Sequence, residues 1–198
     1  GTVGRGAIRR AMGLGARVTV IDINVDRLRY LEDIFMGRIE TLYSNRFNLS
    51  KATRYADLVV GAVLIPGGKT PKIITEEMVK QMQPGSVIVD VAIDQGGCIE
   101  TIEHPTTHAE PVFVKHGVIH YAVSNIPGAV PRTSTLALTN ATLPYILEMA
   151  KKGWKKAVLD DAALAKGINV MNGQITNAAV AEAHNLPYHP LEEVMKEL

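Results

Sequence analysis

Residues 58–64 (LVVGAVL) and 86–92 (SVIVDVA) are near-continuous apolar runs, and they constrain the fold of this chain more than any other feature. A strand with one wet face alternates apolar and polar residues, so an unbroken run belongs to a strand buried on both sides. Both faces of such a sheet must be covered, and the intervening segments read as the helices that cover them. Asn24 can cap a helix whose Val25, Leu28, Leu31, Ile34 and Phe35 share one face, closed by Gly37. Ser50 can cap a brief helix through Tyr55, and Thr75 with Glu76, Glu77 and Met78 opens another that Pro84-Gly85 stops. Shorter stretches at 17–21, 39–43, 112–115 and 118–123, the last two around a turn at Gly117, complete an alternation of strand and helix up to about residue 125. The expected fold class is α/β: a Rossmann-like doubly wound parallel sheet with helices on both faces.

The pattern changes after Pro127 and Pro131. Residues 133–152 suit one long helix with Pro144 as a point of bending, and 157–166 and 176–184 also read as helical. No further strand is expected. A domain boundary is therefore placed near Pro131, with residues 1–130 as the sheet domain and 131–198 as a C-terminal helical segment of a second, incomplete domain. Leu136, Leu143, Ile146, Leu147 and Ala150 form an apolar stripe on that segment, which predicts self-association.

Hydrophobic residues make up 46% of the 198, and charged residues 21%, enough for a sizeable core. Twenty-one Lys and Arg against twenty Asp and Glu leave a formal charge of +1, which argues against non-specific nucleic-acid or membrane-surface binding. No apolar run approaches the roughly 20 residues needed to cross a bilayer. A single cysteine, Cys98, cannot form an internal disulfide, and the expected setting is the reducing cytoplasm.

The chain opens Gly1-Thr2-Val3-Gly4-Arg5-Gly6, as if it began inside a glycine-rich turn, and a helix follows through Ala7, Ile8, Ala11, Met12 and Leu14. The expectation is an N-terminally truncated chain whose first strand is missing. Gly1 and Gly4 can serve as the second and third glycines of G-x-G-x-x-G, where the backbone approaches a pyrophosphate at a helix N-terminus; the competing reading is a tight connection with no ligand. Asp22 stands at a strand end 18 residues after Gly4, close to the offset of a ribose-binding acid. A carboxylate there accepts bonds from ribose hydroxyls and repels a 2′-phosphate, which favours NAD over NADP. Arg27 and Arg29 lie nearby, either beside the adenosine or simply solvated.

Asp90 and Asp94 flank the end of the second buried run. Ligands of doubly wound sheets bind beyond the carboxyl ends of strands, so Asp94, just before Gly96-Gly97, can face a nicotinamide or substrate, while Asp90 reads as structural. Cys98 reads as a packed thiol rather than a nucleophile. His104 and His108, and His116 and His120, are each four apart, but Pro105 and Gly117 interrupt the helical spacing that ligation would need. No metal is expected.

Asp94-Gln95-Gly96-Gly97-Cys98, together with Asp22-Ile23-Asn24, Gly61-Ala62-Val63-Leu64-Ile65-Pro66-Gly67 and Asn125-Ile126-Pro127-Gly128-Ala129-Val130-Pro131, resembles the alanine dehydrogenase family. The stretch from Thr133 through Asn140 to Tyr145 does so too, and the likeness covers essentially the whole chain. The related NAD-binding domain of proton-translocating transhydrogenase shares the Pro-Gly loop, but usually has Gln-Asn-Gly-Gly where this chain has Asp94-Gln95-Gly96-Gly97. The resemblance implies NAD as cofactor, reversible oxidative deamination of L-alanine to pyruvate and ammonia, and a homo-oligomer, commonly a hexamer. It carries the family's dinucleotide contacts onto Thr2, Val3, Asp22, Arg27, Ser44, Val63, Leu64, Val91, Ala92, Ile93, Asp94, Val123, Ser124, Asn125 and Ile126, and its catalytic aspartate onto Asp94. The family's catalytic histidine and its substrate-carboxylate lysine and arginine have no counterpart here. Two further readings stay open: a dinucleotide-binding module without catalysis, and a transhydrogenase domain.

Overall fold

Side-chain caps and apolar runs set the element order in the computed structural model, which describes residues 1–196. Helix α1 (Thr2–Gly13) leads to strand β1 (Thr19–Asp22), then α2 (Val25–Ile34), β2 (Glu40–Tyr43), α3 (Arg46–Tyr55), β3 (Leu58–Gly61), α4 (Glu76–Lys80) and β4 (Val87–Asp90). The Asn24 side chain accepts from the Arg27 N–H to cap α2, and Thr75 accepts from Met78 to cap α4, as their positions in the sequence predict. Helix α3 corrects the reading at Ser50. It starts a full turn earlier, because the Asn45 side chain accepts from the Asn48 N–H at 2.8 Å and leaves Ser50 in the helix interior.

Strands β5 (Val112–Lys115) and β6 (Val118–Tyr121) form a hairpin through His116 and Gly117, at φ 54° and 75°. Two consecutive positive φ values make the tight turn whose twist matches the flanking strands. The strands fall into two sheets. β1 and β2 pair in parallel, while β3, β4 and β6 run parallel in that order and β5 closes the edge antiparallel to β6. Each sheet has its own core. Ile8 of α1, Leu31 and Phe35 of α2, and Ile39 pack with the first; Met78 and Val79 of α4, Ile88, Ile99, Ile102, Val118 and Ala122 pack with the second.

The C-terminal part comprises α5 (Pro131–Lys152), α6 (Trp154–Asp160), α7 (Ala162–Lys166), β7 (Val170–Met171), β8 (Gln174–Ile175), α8 (Ala178–His184) and α9 (Leu191–Lys196). The expectation of no strand beyond Pro131 is overturned: β7 and β8 pair across Asn172-Gly173, at φ 51° and 74°. Asn-Gly is the strongest short hairpin signal, and it outweighs the weak apolar pattern around it. The helix expected over 157–166 is two helices, broken where the Asp161 side chain turns to cap α7. Two compact units divide the chain: residues 1–64 with 70–124, and residues 65–69 with 125 onward. Among the described residues, no helix is long and apolar enough to cross a membrane.

His120 on β6 is fully buried and stacked on Phe113, with centroids 4.9 Å apart. Its Nδ1 lies 2.9 Å from the Val118 carbonyl, which can only accept, so Nδ1 carries the proton and Nε2 accepts from the Thr101 hydroxyl at 2.8 Å. Burial holds the ring below its ordinary value of 6.5 against the opposing pull of the Val118 carbonyl, with Lys115 and His116 adding to the lowering. The unfolded chain therefore takes up a proton at a pH where the folded chain does not. Stability should be complete above about pH 6.5 and fall on acidification, by up to about 1.4 kcal/mol per pH unit, until the folded ring also titrates. Urea unfolding at pH 7.5 and 5.5 should show a smaller acid loss in His120→Gln than in the unchanged protein.

Candidate functional site

The polar groups singled out in the sequence stand where parallel strands end. Asp22 closes β1, and its carboxylate accepts from the Asn24 N–H at 2.8 Å, which turns the chain into α2. Ser44 follows β2 directly, with its N–H donating to the Asp22 carbonyl at 2.9 Å, so the two residues are held side by side. The Arg27 guanidinium lies over the Tyr30 ring, 5.2 Å from its centroid, while Arg29 pairs with Asp26 in solvent. At the start of α1, Gly1 is the N-cap without a side-chain hydrogen bond, and Thr2, Val3 and Gly4 make the first turn. With glycine at positions 1 and 4, no Cβ stands beside the N–H groups of that turn.

The second sheet presents its own set. Strand β3 stops at Gly61, so Val63 and Leu64 lie in the loop beyond it, not in a strand running to residue 64. Strand β4 likewise ends at Asp90, and Val91, Ala92, Ile93 and Asp94 follow its carboxyl end, the last two in a 3₁₀ turn, Ile93–Gln95. Val123 and Ser124 follow β6, and Asn125, at φ 52°, and Ile126 open the next unit.

Asp90 and Asp94 have opposite environments. Asp90 is fully buried and accepts from the N–H groups of Ala92 at 3.0 Å, Cys98 at 2.8 Å and Ile99 at 3.3 Å. It is the structural residue that its place within a buried run indicates. Asp94 is exposed, and the Ser124 hydroxyl donates to its Oδ1 at 2.5 Å, bridging the ends of β4 and β6. A reachable carboxylate held by such a hydrogen bond can accept or deliver a proton. Cys98 is buried against Asp90, and burial first, then the Asp90 charge, pushes its thiol up to about 12; it is no nucleophile. His116 and His120 do not share a ligand, since His116 contacts Glu76 at 2.6 Å while His120 is enclosed in the core.

Sequence reasoning missed Lys72. Its Nζ donates to the carbonyls of Gly96 at 2.7 Å, Ile99 at 3.1 Å and Ile102 at 3.4 Å. A lone lysine after a proline reads as a solvated charge, and nothing local marks its partners some 24 to 30 residues away. The resemblance places Ser124 among the family's cofactor contacts, and its hydroxyl bonds to Asp94; the strand order that brings β4 beside β6 supplies that pairing.

An acidic side chain at one strand end, a glycine-bearing helix N-terminus and a second carboxylate beyond a buried strand define a Rossmann-like α/β domain with its polar groups at the carboxyl edge. Residues 1–178 match the family model described as alanine dehydrogenase/PNT, C-terminal domain, and the chain belongs to this family. It is 61% identical over 197 residues to an alanine dehydrogenase of Methanococcus maripaludis, covering all of this chain and 53% of that protein. A solved structure titled L-alanine dehydrogenase superposes with a TM-score of 0.82 at 51% identity, over 93% of this chain and 51% of the other. A transhydrogenase from Sinorhizobium meliloti is more distant, with a TM-score of 0.68 and 25% identity over 90% of this chain and 48% of the other. The chain spans about half the length of the curated relatives it matches.

Two neighbouring glycines separate steric from conformational demands on the Asp94 loop. Gly97 has φ 71°, and an added Cβ would come within 2.6 Å of Asp90 Oδ2; Gly96 has φ 92° and open space around it. Gly96→Ala should therefore cost about 1 kcal/mol of unfolding free energy for its backbone alone, and Gly97→Ala at least about 2 kcal/mol more. Paired urea melts of the two variants measure that difference.

Proposed function

We propose that this chain is the NAD-binding and C-terminal portion of an alanine dehydrogenase, which converts L-alanine reversibly to pyruvate and ammonia. What carries this reading is the exposed Asp94 carboxylate beyond β4, in a chain alike throughout its length to proteins named alanine dehydrogenase. The donor set fits the dinucleotide. The N–H groups at the glycine-bearing start of α1 suit a pyrophosphate, and the Asp22 carboxylate suits ribose hydroxyls. NAD supplies the hydride-accepting chemistry when bound. Asp94, held by Ser124, takes the proton released as the amine becomes an imine and returns it as water adds and ammonia leaves. Val63 and Leu64 would offer the nicotinamide ring apolar neighbours, and Val91, Ala92 and Val123 would contribute backbone groups.

The cationic clamps that an alanine carboxylate requires are assigned to the part of the relatives that this chain does not span. Residues 1–130 are read as the dinucleotide domain and 131–198 as a helical return toward that remainder. A homo-oligomer is proposed from the family resemblance, and a cytoplasmic setting from the single cysteine. Leu136, Leu143, Ile146 and Leu147, about half exposed on α5, are read as the face that the remainder of the relatives would cover. The transhydrogenase reading has less support, since that relative shares far less of its sequence with this chain.

Two measurements test this reading. Calorimetry should find NADH bound at least about tenfold more tightly than NADPH, with Asp22→Ala narrowing the gap; equal affinities in the unchanged chain would remove Asp22 from the ribose site. In the full-length enzyme, Asp94→Asn should lower turnover at least about 100-fold while changing NADH affinity less than about threefold. Unchanged turnover would take Asp94 out of the mechanism.

A further inference from the structure

Lys72 makes three hydrogen bonds from one ammonium group, and all three acceptors are backbone carbonyls of the segment that follows Asp94. An ammonium has three donors and no acceptor, so its hydrogen-bonding capacity on this loop is filled. Holding so flexible a side chain in one arrangement costs conformational entropy, which an ordinary solvated lysine does not lose. The convergence of the Gly96, Ile99 and Ile102 carbonyls on one point creates the negative potential that holds it there, much as carbonyls hold a bound cation.

The loop lies between two opposite charges. The Ile99 N–H donates to the Asp90 carboxylate on the inner side, and the Ile99 carbonyl accepts from Lys72 on the other. Backbone bonds add to this grip: Thr70 N–H to the Gln95 carbonyl at 3.0 Å, Ile73 N–H to the Cys98 carbonyl at 2.9 Å, and Glu100 N–H to the Ile74 carbonyl at 2.9 Å. Gly96, the nearest acceptor, is itself tied to the 3₁₀ turn by its N–H to the Ile93 carbonyl at 3.0 Å. Fixing the Gly96 carbonyl therefore fixes the end of the turn that carries Asp94.

We propose that Lys72 is a positioning residue, holding the Asp94 turn in place toward the nicotinamide half of the dinucleotide. This rests on the reading of the site as an NAD site with Asp94 at its reactive end. Loss of the Lys72 charge should loosen the nicotinamide end and leave the adenosine end, built by Asp22 and α1, as it was.

The test uses K72C in the 198-residue chain, because Cys98 is fully buried and leaves the introduced thiol as the only one open to alkylation. Bromoethylamine rebuilds a lysine-like ammonium at that position, whereas iodoacetamide adds a neutral amide of similar size. Calorimetry would compare NADH with ADP-ribose, which lacks the nicotinamide. K72C should bind NADH at least about tenfold more weakly and ADP-ribose within about twofold of the unchanged chain, the loss expected for a charge-assisted contact. Aminoethylation should return NADH affinity to within about threefold, and carbamidomethylation should not.

Equal weakening of both ligands, unchanged NADH affinity in K72C, or equal rescue by the two reagents would overturn the proposal. A K72C chain without its native circular dichroism would assign Lys72 to global stability and overturn it as well. An unchanged chain that binds neither ligand would remove the dinucleotide reading, and this inference with it. That outcome differs from the others because it needs no variant.

Discussion

The buried carboxylate of Asp90 is the constraint around which the site is organised. An unpaired charge in a core costs several kcal/mol, so the fold must bring hydrogen-bond donors to it. It does so by bending the chain after β4 until the Ala92, Cys98 and Ile99 N–H groups all point inward. That bend leaves no room for a side chain at Gly97, whose Cβ would come within 2.6 Å of Asp90 Oδ2. Gly61, which faces Asp90 in the β3–β4 register, would drive a Cβ into the Cys98 sulfur, so its glycine follows from the same packing. One carboxylate thus bears on Gly97 directly, on Gly61 through the Cys98 sulfur, and on the path of the loop.

Four residues later the same residue type does the opposite work. Asp94 is exposed, on a 3₁₀ turn that lies between the Ala92 and Cys98 donors to Asp90. The bond from Ser124 then limits where the exposed carboxylate can point. The proton exchange proposed for Asp94 would require a group that is reachable and yet does not wander. The pairing of a buried acid with an exposed one meets both requirements within a single turn of chain.

Much of this was legible in the sequence because it depends on local chemistry. Unbroken apolar runs marked β3 and β4, and Asn24 and Thr75 marked helix starts through their own side-chain hydrogen bonds. The apolar runs overstated strand length, since Val63 is apolar for packing against the core rather than for pairing in a ladder. Asn45 and Ser50 are both capping types within one segment, and only the chain path decides between them. Lys72 was invisible for a different reason. Its partners are carbonyls, which every residue has, so no residue type records the contact.

The allocation of the strands to two sheets bears on how the molecule breathes. β1 pairs only with β2 among the described residues, and the cluster beneath them is the smaller of the two, with Ile8, Leu31, Phe35 and Ile39 as its buried members. β4 lies between two partners, over the larger cluster. Backbone amides in regions with less buried apolar contact exchange with solvent through cheaper local openings. In the 198-residue chain taken by itself, amides around Asp22 should therefore exchange faster than those around Asp94. A ligand reaching across both would meet a compliant hand at one end and a rigid vice at the other.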